Sequence, residues 1–289
     1  MRRLIINADD LGLTAGVNRA IFETNARGVV TSTTLMANSA SFADAVSGVL
    51  ARPTAHLSVG CHFVLVDGAP LTPPDKVPTL TDGAGQFRAR VAELALTAQR
   101  NKLDPAEIET EAVAQFRKLW AAGIQLSHFD AHKHSHLFLQ VLAPALRAAQ
   151  TCGIRAVRNP FEPSNPLPVA YLWRYRKSLK RYLQVRALRL LRSKWLRMVR
   201  DFGLRTPDGS FGVITTGEVD THLLGALLEN MPEGTWELVC HPGYNDADLD
   251  KIHTRLRASR AKELEILTSP ATRRLIESLG IELITYNEL

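Results

Sequence analysis

Along the chain, short apolar runs alternate with stretches whose apolar positions recur every three or four residues, the signature of strands alternating with amphipathic helices. "RLIIN" predicts a first strand, and Thr14 an N-cap for a helix through Val17, Ile21 and Phe22 that stops at Gly28. The β-branched "VVTSTTLM" predicts the next strand, a helix follows from Ser41 to about Leu50, and "HLSVGCHF" predicts a third strand. "VDGAPLTPPDKVPTLTDGAGQF" is Pro/Gly-rich and reads as a loop over a surface or cleft. "DPAEIETEAVAQFRKLWAAG" opens with Pro in its first turn and ends at Gly123, which predicts a helix. "IQLSHFDAH" is then strand-like, "LFLQVLAPALRAAQTCG" helical, and "IRAVRNP" a short strand. "SFGVITTG" reads as extended and "DTHLLGALLEN" as a helix. "WELVCHPG" and "GIELITYNEL" are late strands flanking a helical "HTRLRASRAKELEILTSPATRRLIESLG".

This β-α-β-α order, sustained without a low-complexity linker or repeat, predicts one α/β domain over residues 1–289, a single distorted (β/α) barrel with mostly parallel strands. With 45% hydrophobic and 22% charged residues, the chain has the composition of an ordinary globular protein. No apolar run reaches the length of a membrane span, and the start lacks a signal-peptide core, so the expected location is cytoplasmic. Cys61, Cys152 and Cys240 are odd in number and scattered, which argues against a disulfide framework or a zinc finger.

The polar residues that interrupt this pattern gather at one place on it. Asp9 and Asp10 follow "RLIIN", His62 follows "HLSVGC", His132 follows "LSHFDA", Arg158 ends "IRAV", and His241 follows "WELVC". Each falls at the C-terminal end of a predicted strand, the end where a parallel barrel builds its active site. In "HFDAHKHSH", His128, Asp130, His132, His134 and His136 alternate with other residues; an extended segment would put all five on one face. Adjacent carboxylates repel unless a cation stabilises both, and one carboxylate with two imidazoles is an open ligand set that leaves room for water. His62 and His132 are the strand-end imidazoles; the other aspartate could orient or deprotonate a water, and His241 could protonate a leaving group. Taken singly, each has a blander reading: a turn for Asp-Asp-Leu-Gly, a core histidine for His62, a loop residue for His241, a solvated patch for the histidine run. Their coincidence at strand ends favours a site. His128 reads as structural, His134 and His136 as residues that support ligands or touch substrate, and Cys61 and Cys240 as packing.

At "NADDLG", "TSTTLMAN", "VGCHFVL", "SHFDAHKHSH" and "VCHPGYNDADL", the sequence resembles the YdjC-like carbohydrate deacetylases, the ChbG/HpnK family. The resemblance spans nearly the whole chain. It implies a divalent metal, Mg2+ by family association, and hydrolysis of the N-acetyl group of an amino sugar. It implies Asp10, His62 and His132 as metal ligands, Asp9 as general base, His241 as the acid for the departing amine, and Arg158 as the residue steering the base. On ligand preference alone the donor set also suits Zn2+ or another transition metal.

Net charge is +6, and the excess is local: 12 bases against one acid lie between Leu172 and Arg205, within a basic helical insertion at about 166–205. Leu188, Leu191, Trp195, Met198 and Phe202 recur there at helical spacing. Such a helix could lie on an anionic membrane and present the site to a glycolipid, or pack its stripe on its own domain with Arg stems solvated. Aromatic interleaving is sparse, so nucleic acid is not an expected partner. The expected partner is an N-acetylated amino sugar or glycolipid, and a homo-oligomer is compatible with the sequence. Other readings are another metal-dependent hydrolase such as a two-metal phosphoesterase, and a non-enzymatic binder of acidic membrane or nucleic acid through the basic helix.

Overall fold

In the computed structural model, which describes residues 1–52, 56–163, 188–213 and 215–289, the strand-like runs become β1 (Arg2–Leu11), β2 (Ser32–Leu35), β3 (Ser58–Phe63), β4 (Leu126–Ala131), β5 (Gly209–Phe211), β6 (Gly234–Cys240) and β7 (Ile281–Leu283). All pair in parallel, in the order β4-β3-β2-β1-β6-β5, with β7 on the first residues of β1 beside the stretch that takes β2. Parallel pairing requires crossovers, and helices supply them, so the inner strands are covered on both faces; β2 and β3 are buried throughout.

The sheet curls into a half-barrel, and "IRAVRNP" bridges its open side. Instead of a ladder strand, this segment makes two isolated parallel bridges: to Phe129, through Phe129 N to Ala156 O and Arg158 N to Phe129 O, both at 3.1 Å, and to Arg205, through Val157 N to Arg205 O at 3.0 Å and Arg205 N to Arg155 O at 2.8 Å. The result is a distorted β/α barrel. Among the described residues of "SFGVITTG" only Ser210 and Phe211 lie in a strand, Gly209–Phe211, and the long C-terminal helical stretch divides at Ser269 and Pro270 into helices Ala258–Thr268 and Pro270–Ser278. The other helices follow their signals. Thr14 Oγ1 accepts from Val17 N at 3.1 Å to start Ala15–Ala26, and Asp104 caps Pro105–Ala121.

Two placements decide what the mouth of the barrel contains. The Pro/Gly-rich loop folds back by antiparallel bridges from Gly68 and Thr81 to Phe87, and the buried Glu111 carboxylate holds it by accepting from Leu71 N and Thr72 N, each at 2.9 Å. Helix Arg192–Asp201 buries Trp195 and Val199, while Leu188, Leu191, Met198 and Phe202 pack against the main core. Trp195 Nε1 donates to His136 O at 3.1 Å. The apolar stripe from 188 to 202 therefore packs on its own barrel, and Lys194, Arg197 and Arg200 face out. Of residues 172–205, read above as able to contact a membrane, 172–187 lie outside the described residues, as does the rest of the basic insertion before Leu188. No helix among the described residues is long and apolar enough to cross a membrane.

Candidate metal and active site

Two neighbouring residues on a regular strand point to opposite faces. Asp9 and Asp10 escape this rule because β1 breaks register with β2 between Ala8 and Leu11 and Asp10 takes a left-handed φ of 69°. The bulge turns both carboxylates into the mouth. On the far side, pairing of β3 with β4 sets His62 directly across from Asp130. His62 Nδ1 lies 2.7 Å from Asp130 Oδ1, which fixes the ring and leaves Nε2 as the free donor.

The histidine run departs from the alternation expected of it. β4 ends at Ala131, and His132–Leu137 is a tight turn in which Lys133 and His134 have φ of 52° and 54°. His128 and Asp130 keep their strand positions; the turn, not the pleat, places the other three. His128 is buried, stacked on Tyr286 with ring centroids 3.5 Å apart. His136 is buried with Nε2 3.2 Å from Arg158 O, and His134 lines the cavity. Cys61 and Cys240 are buried in the core.

The turn carries His132 to His62 and Asp10. His62 Nε2 and His132 Nδ1 are 3.1 Å apart, and each lies 3.4 Å from Asp10 Oδ1. Three donors about 2.1 Å from one ion, at tetrahedral or octahedral angles, would lie about 3.0–3.4 Å from one another, so this set fits a divalent ion. Charge fits as well. Among the described residues, four buried carboxylates, Asp9, Asp10, Asp130 and Glu237, contact two guanidiniums, those of Arg158 and Arg260. Burial opposes a proton on His62, yet Asp130, with Asp10 and Asp9, raises its pKa to about 10: the point favours positive charge. A second grouping of Asp9, His62 and Asp130 also lies close together, but Arg158 occupies both of its carboxylates.

Asp9 stands beside the triad. Arg158 Nη1 donates to its Oδ2 at 2.8 Å and Nη2 to its Oδ1 at 2.6 Å, and Asn7 Nδ2 donates to Oδ1 at 2.9 Å. Burial pushes the Asp9 carboxyl up, but Arg158, with His62 and His241, outweighs it and holds the group ionised well below the ordinary range. His241 Nε2 lies 3.9 Å from Asp9 Oδ2, beyond hydrogen-bond distance. Burial, only partly offset by Asp9 and Asp10, lowers the His241 pKa to about 4.

Arg260 and Glu263, on helix Ala258–Thr268, complete the wall. Arg260 Nη2 donates to Asp10 Oδ2 at 2.5 Å, leaving Oδ1 for the triad, and its Nη1 has no partner among the described residues. Glu263 Oε2 accepts from His241 N at 2.6 Å, and burial raises the Glu263 pKa to about 7. The site opens into a cavity of about 690 Å³ whose rim includes Asp67, Arg90, Phe138, Leu188 and Leu256.

The six residues singled out in the sequence thus converge. Sequence reasoning assigned no role to Asp130, Glu237, Arg260 or Glu263. Glu237 left a signal, a carboxylate in the middle of the apolar strand "WELVC", where both faces are covered. Arg260 and Glu263 left none, being two charges on a helix rich in them.

Residues 3–278 match the family model described as YdjC-like protein. The chain is 31% identical over 297 residues to a carbohydrate deacetylase of Brevibacillus brevis, covering 99% of each chain. It is 32% identical over 289 residues to a carbohydrate deacetylase of Geobacillus stearothermophilus, covering 99% of this chain and 98% of that one. Among solved structures it is similar to a proposed cellobiose-phosphate cleavage protein from Enterococcus faecalis, with a TM-score of 0.80 and 28% identity over 99% of this chain and 98% of the other.

Proposed function

Since the chain belongs to the YdjC-like family, we propose that it hydrolyses the N-acetyl group of an amino sugar, chitooligosaccharide-type or glycolipid-linked N-acetylglucosamine, to the free amine and acetate. It is an enzyme, a deacetylase of the hydrolase type. The observation that carries the reading is the pairing of an ion-ready triad, Asp10, His62 and His132, with an ionised, arginine-held carboxylate at the adjacent position.

Asp10, His62 and His132 would hold one divalent ion, which would supply polarisation of the acetyl carbonyl and a more acidic water. Two imidazoles favour zinc or another transition metal on ligand chemistry, whereas magnesium rests on the family resemblance. Asp9 takes a proton from the attacking water as its oxygen bonds to the carbonyl carbon. Arg158 keeps the accepting oxygens in place. The carbon–nitrogen bond then breaks, and the amine nitrogen takes a proton from His241. Because His241 is neutral at rest near pH 7, the proton it delivers is the one Asp9 has taken from water. Its passage needs the 3.9 Å gap between Asp9 and His241 to close, or one water to bridge it.

Chelation tests the reading. Protein freed of metal should release no acetate from N-acetylated sugars, and one equivalent of divalent ion should restore release. Activity unchanged by chelation would overturn it. A panel of soluble and lipid-linked N-acetyl sugars then separates the two substrate classes.

A further inference from the structure

Three carboxylates converge on Arg158, and the reaction above uses only one of them. Glu237, midway along β6, is fully buried, and its Oε1 accepts from Arg158 Nε at 2.8 Å and lies 2.7 Å from Nη2. Its other oxygen accepts from the Tyr286 hydroxyl at 2.5 Å. Tyr286 belongs to the last turn of the chain, Tyr286–Glu288, where Thr285 and Glu288 form a capping box. Its ring lies flat on His128, 7° from parallel, and its backbone N donates to Ser58 Oγ at 3.1 Å.

We propose that Glu237 and Tyr286 are positioning residues for the proton-accepting Asp9, acting through Arg158; the assignment rests on the deacetylase reading. A guanidinium is planar, with donors fixed along two edges. Glu237 grips the Nε–Nη2 edge, so the Nη1–Nη2 end meets Asp9 at a set angle. Asp130 Oδ2 competes for Nη1. Without the grip of Glu237, the plane can tilt toward Asp130 and Asp9 loses its two-point contact. Tyr286 fixes Glu237 in turn: it makes the shorter of two bonds to the oxygen that Arg158 leaves open, the other coming from Ser210 Oγ at 3.4 Å, and its own ring is clamped by His128. A misplacement of about 1 Å at a reacting group costs on the order of 100-fold in rate.

The test compares Glu237→Gln, Tyr286→Phe and the double variant for kcat, KM and metal affinity, the last by titrating chelated protein. Glu237→Gln is expected to lower kcat about 10- to 100-fold, with KM and metal affinity changed less than about threefold. Tyr286→Phe is expected to lower kcat about 3- to 10-fold, and the double variant to match Glu237→Gln, because Tyr286 acts only through Glu237. Unchanged kcat in the single variants, losses that multiply in the double, or a loss that follows metal affinity would each overturn the proposal. Should Glu237→Gln fail to fold, Tyr286→Phe, which deletes one oxygen, decides on the same criteria. If the unmodified protein releases no acetate from any N-acetyl sugar, the deacetylase reading fails and this assignment falls with it. An active protein with unaffected variants sinks this assignment alone.

Discussion

Asp9 and Asp10 are chemically identical neighbours with different work, and their partners make the difference. Arg158 takes both oxygens of Asp9, which on the proposed function holds the base in place; Arg260 takes one oxygen of Asp10 and leaves the other beside His62 and His132. Asp9→Asn should therefore abolish turnover while metal binding, measured by titration, persists; normal turnover would place the base elsewhere. Asp130 is tested through His62. A carboxylate on the outer nitrogen of a ligating imidazole raises its basicity and fixes its tautomer, so Asp130→Asn should weaken metal affinity about 10- to 100-fold. An affinity within about twofold of the unmodified protein would mean that Asp130 does not tune this ligand.

At the scale of elements, the site depends on two breaks in regular structure: the bulge at Asp9–Asp10 and the turn His132–Leu137. Both store left-handed conformations in residues other than glycine, at Asp10, Lys133 and His134. Lys133 offers a clean measure of that strain. Its pairing with Asp67 is lost equally in Lys133→Gly and Lys133→Ala, so the difference between those variants reports the backbone. The glycine variant should be the more stable by about 1 kcal/mol in urea unfolding. Equal midpoints would mean that the turn carries no such strain.

For the molecule as a whole, burying a polar centre inside the barrel ties stability to pH. Burial, followed by nearby positive groups, holds the folded-state pKa of His128 and His136 well below 6.5. Below about pH 6.5 the unfolded chain therefore binds protons that the fold refuses, and stability falls as the solution is acidified. Between pH 7.5 and 5.5 both imidazoles should contribute to that loss, so the urea midpoint should be lower at pH 5.5 than at pH 7.5. The urea midpoint of chelated protein at the two pH values checks it. His62 and Glu263, held above their ordinary values, act in the opposite sense, so His136→Gln is the control: its midpoint should fall less between the two pH values, and an equal fall would mean that this ring is charged or hydrated in the folded state.

How much of this could be read from the chain divides along physical lines. Hydrophobic periodicity is a local property, so most of the strand and helix order, the parallel class of fold and the placement of Asp9, Asp10, His62, His132 and His241 at strand ends are legible in the residues, whereas the strand expected to end at Arg158 forms only isolated bridges. What lies across space is not. The bulge that turns two adjacent carboxylates one way depends on the register of β1 against β2, and the turn that carries His132 to His62 replaces an alternation the residues themselves suggested. Arg260, Glu263 and Tyr286 reach the site from the C-terminal part of the chain, and nothing in their neighbouring residues marks them. Local pattern decides which face of an element is buried; only the closure of the sheet decides which charges meet there, because the pairing of buried ions is set by distances between segments far apart in sequence.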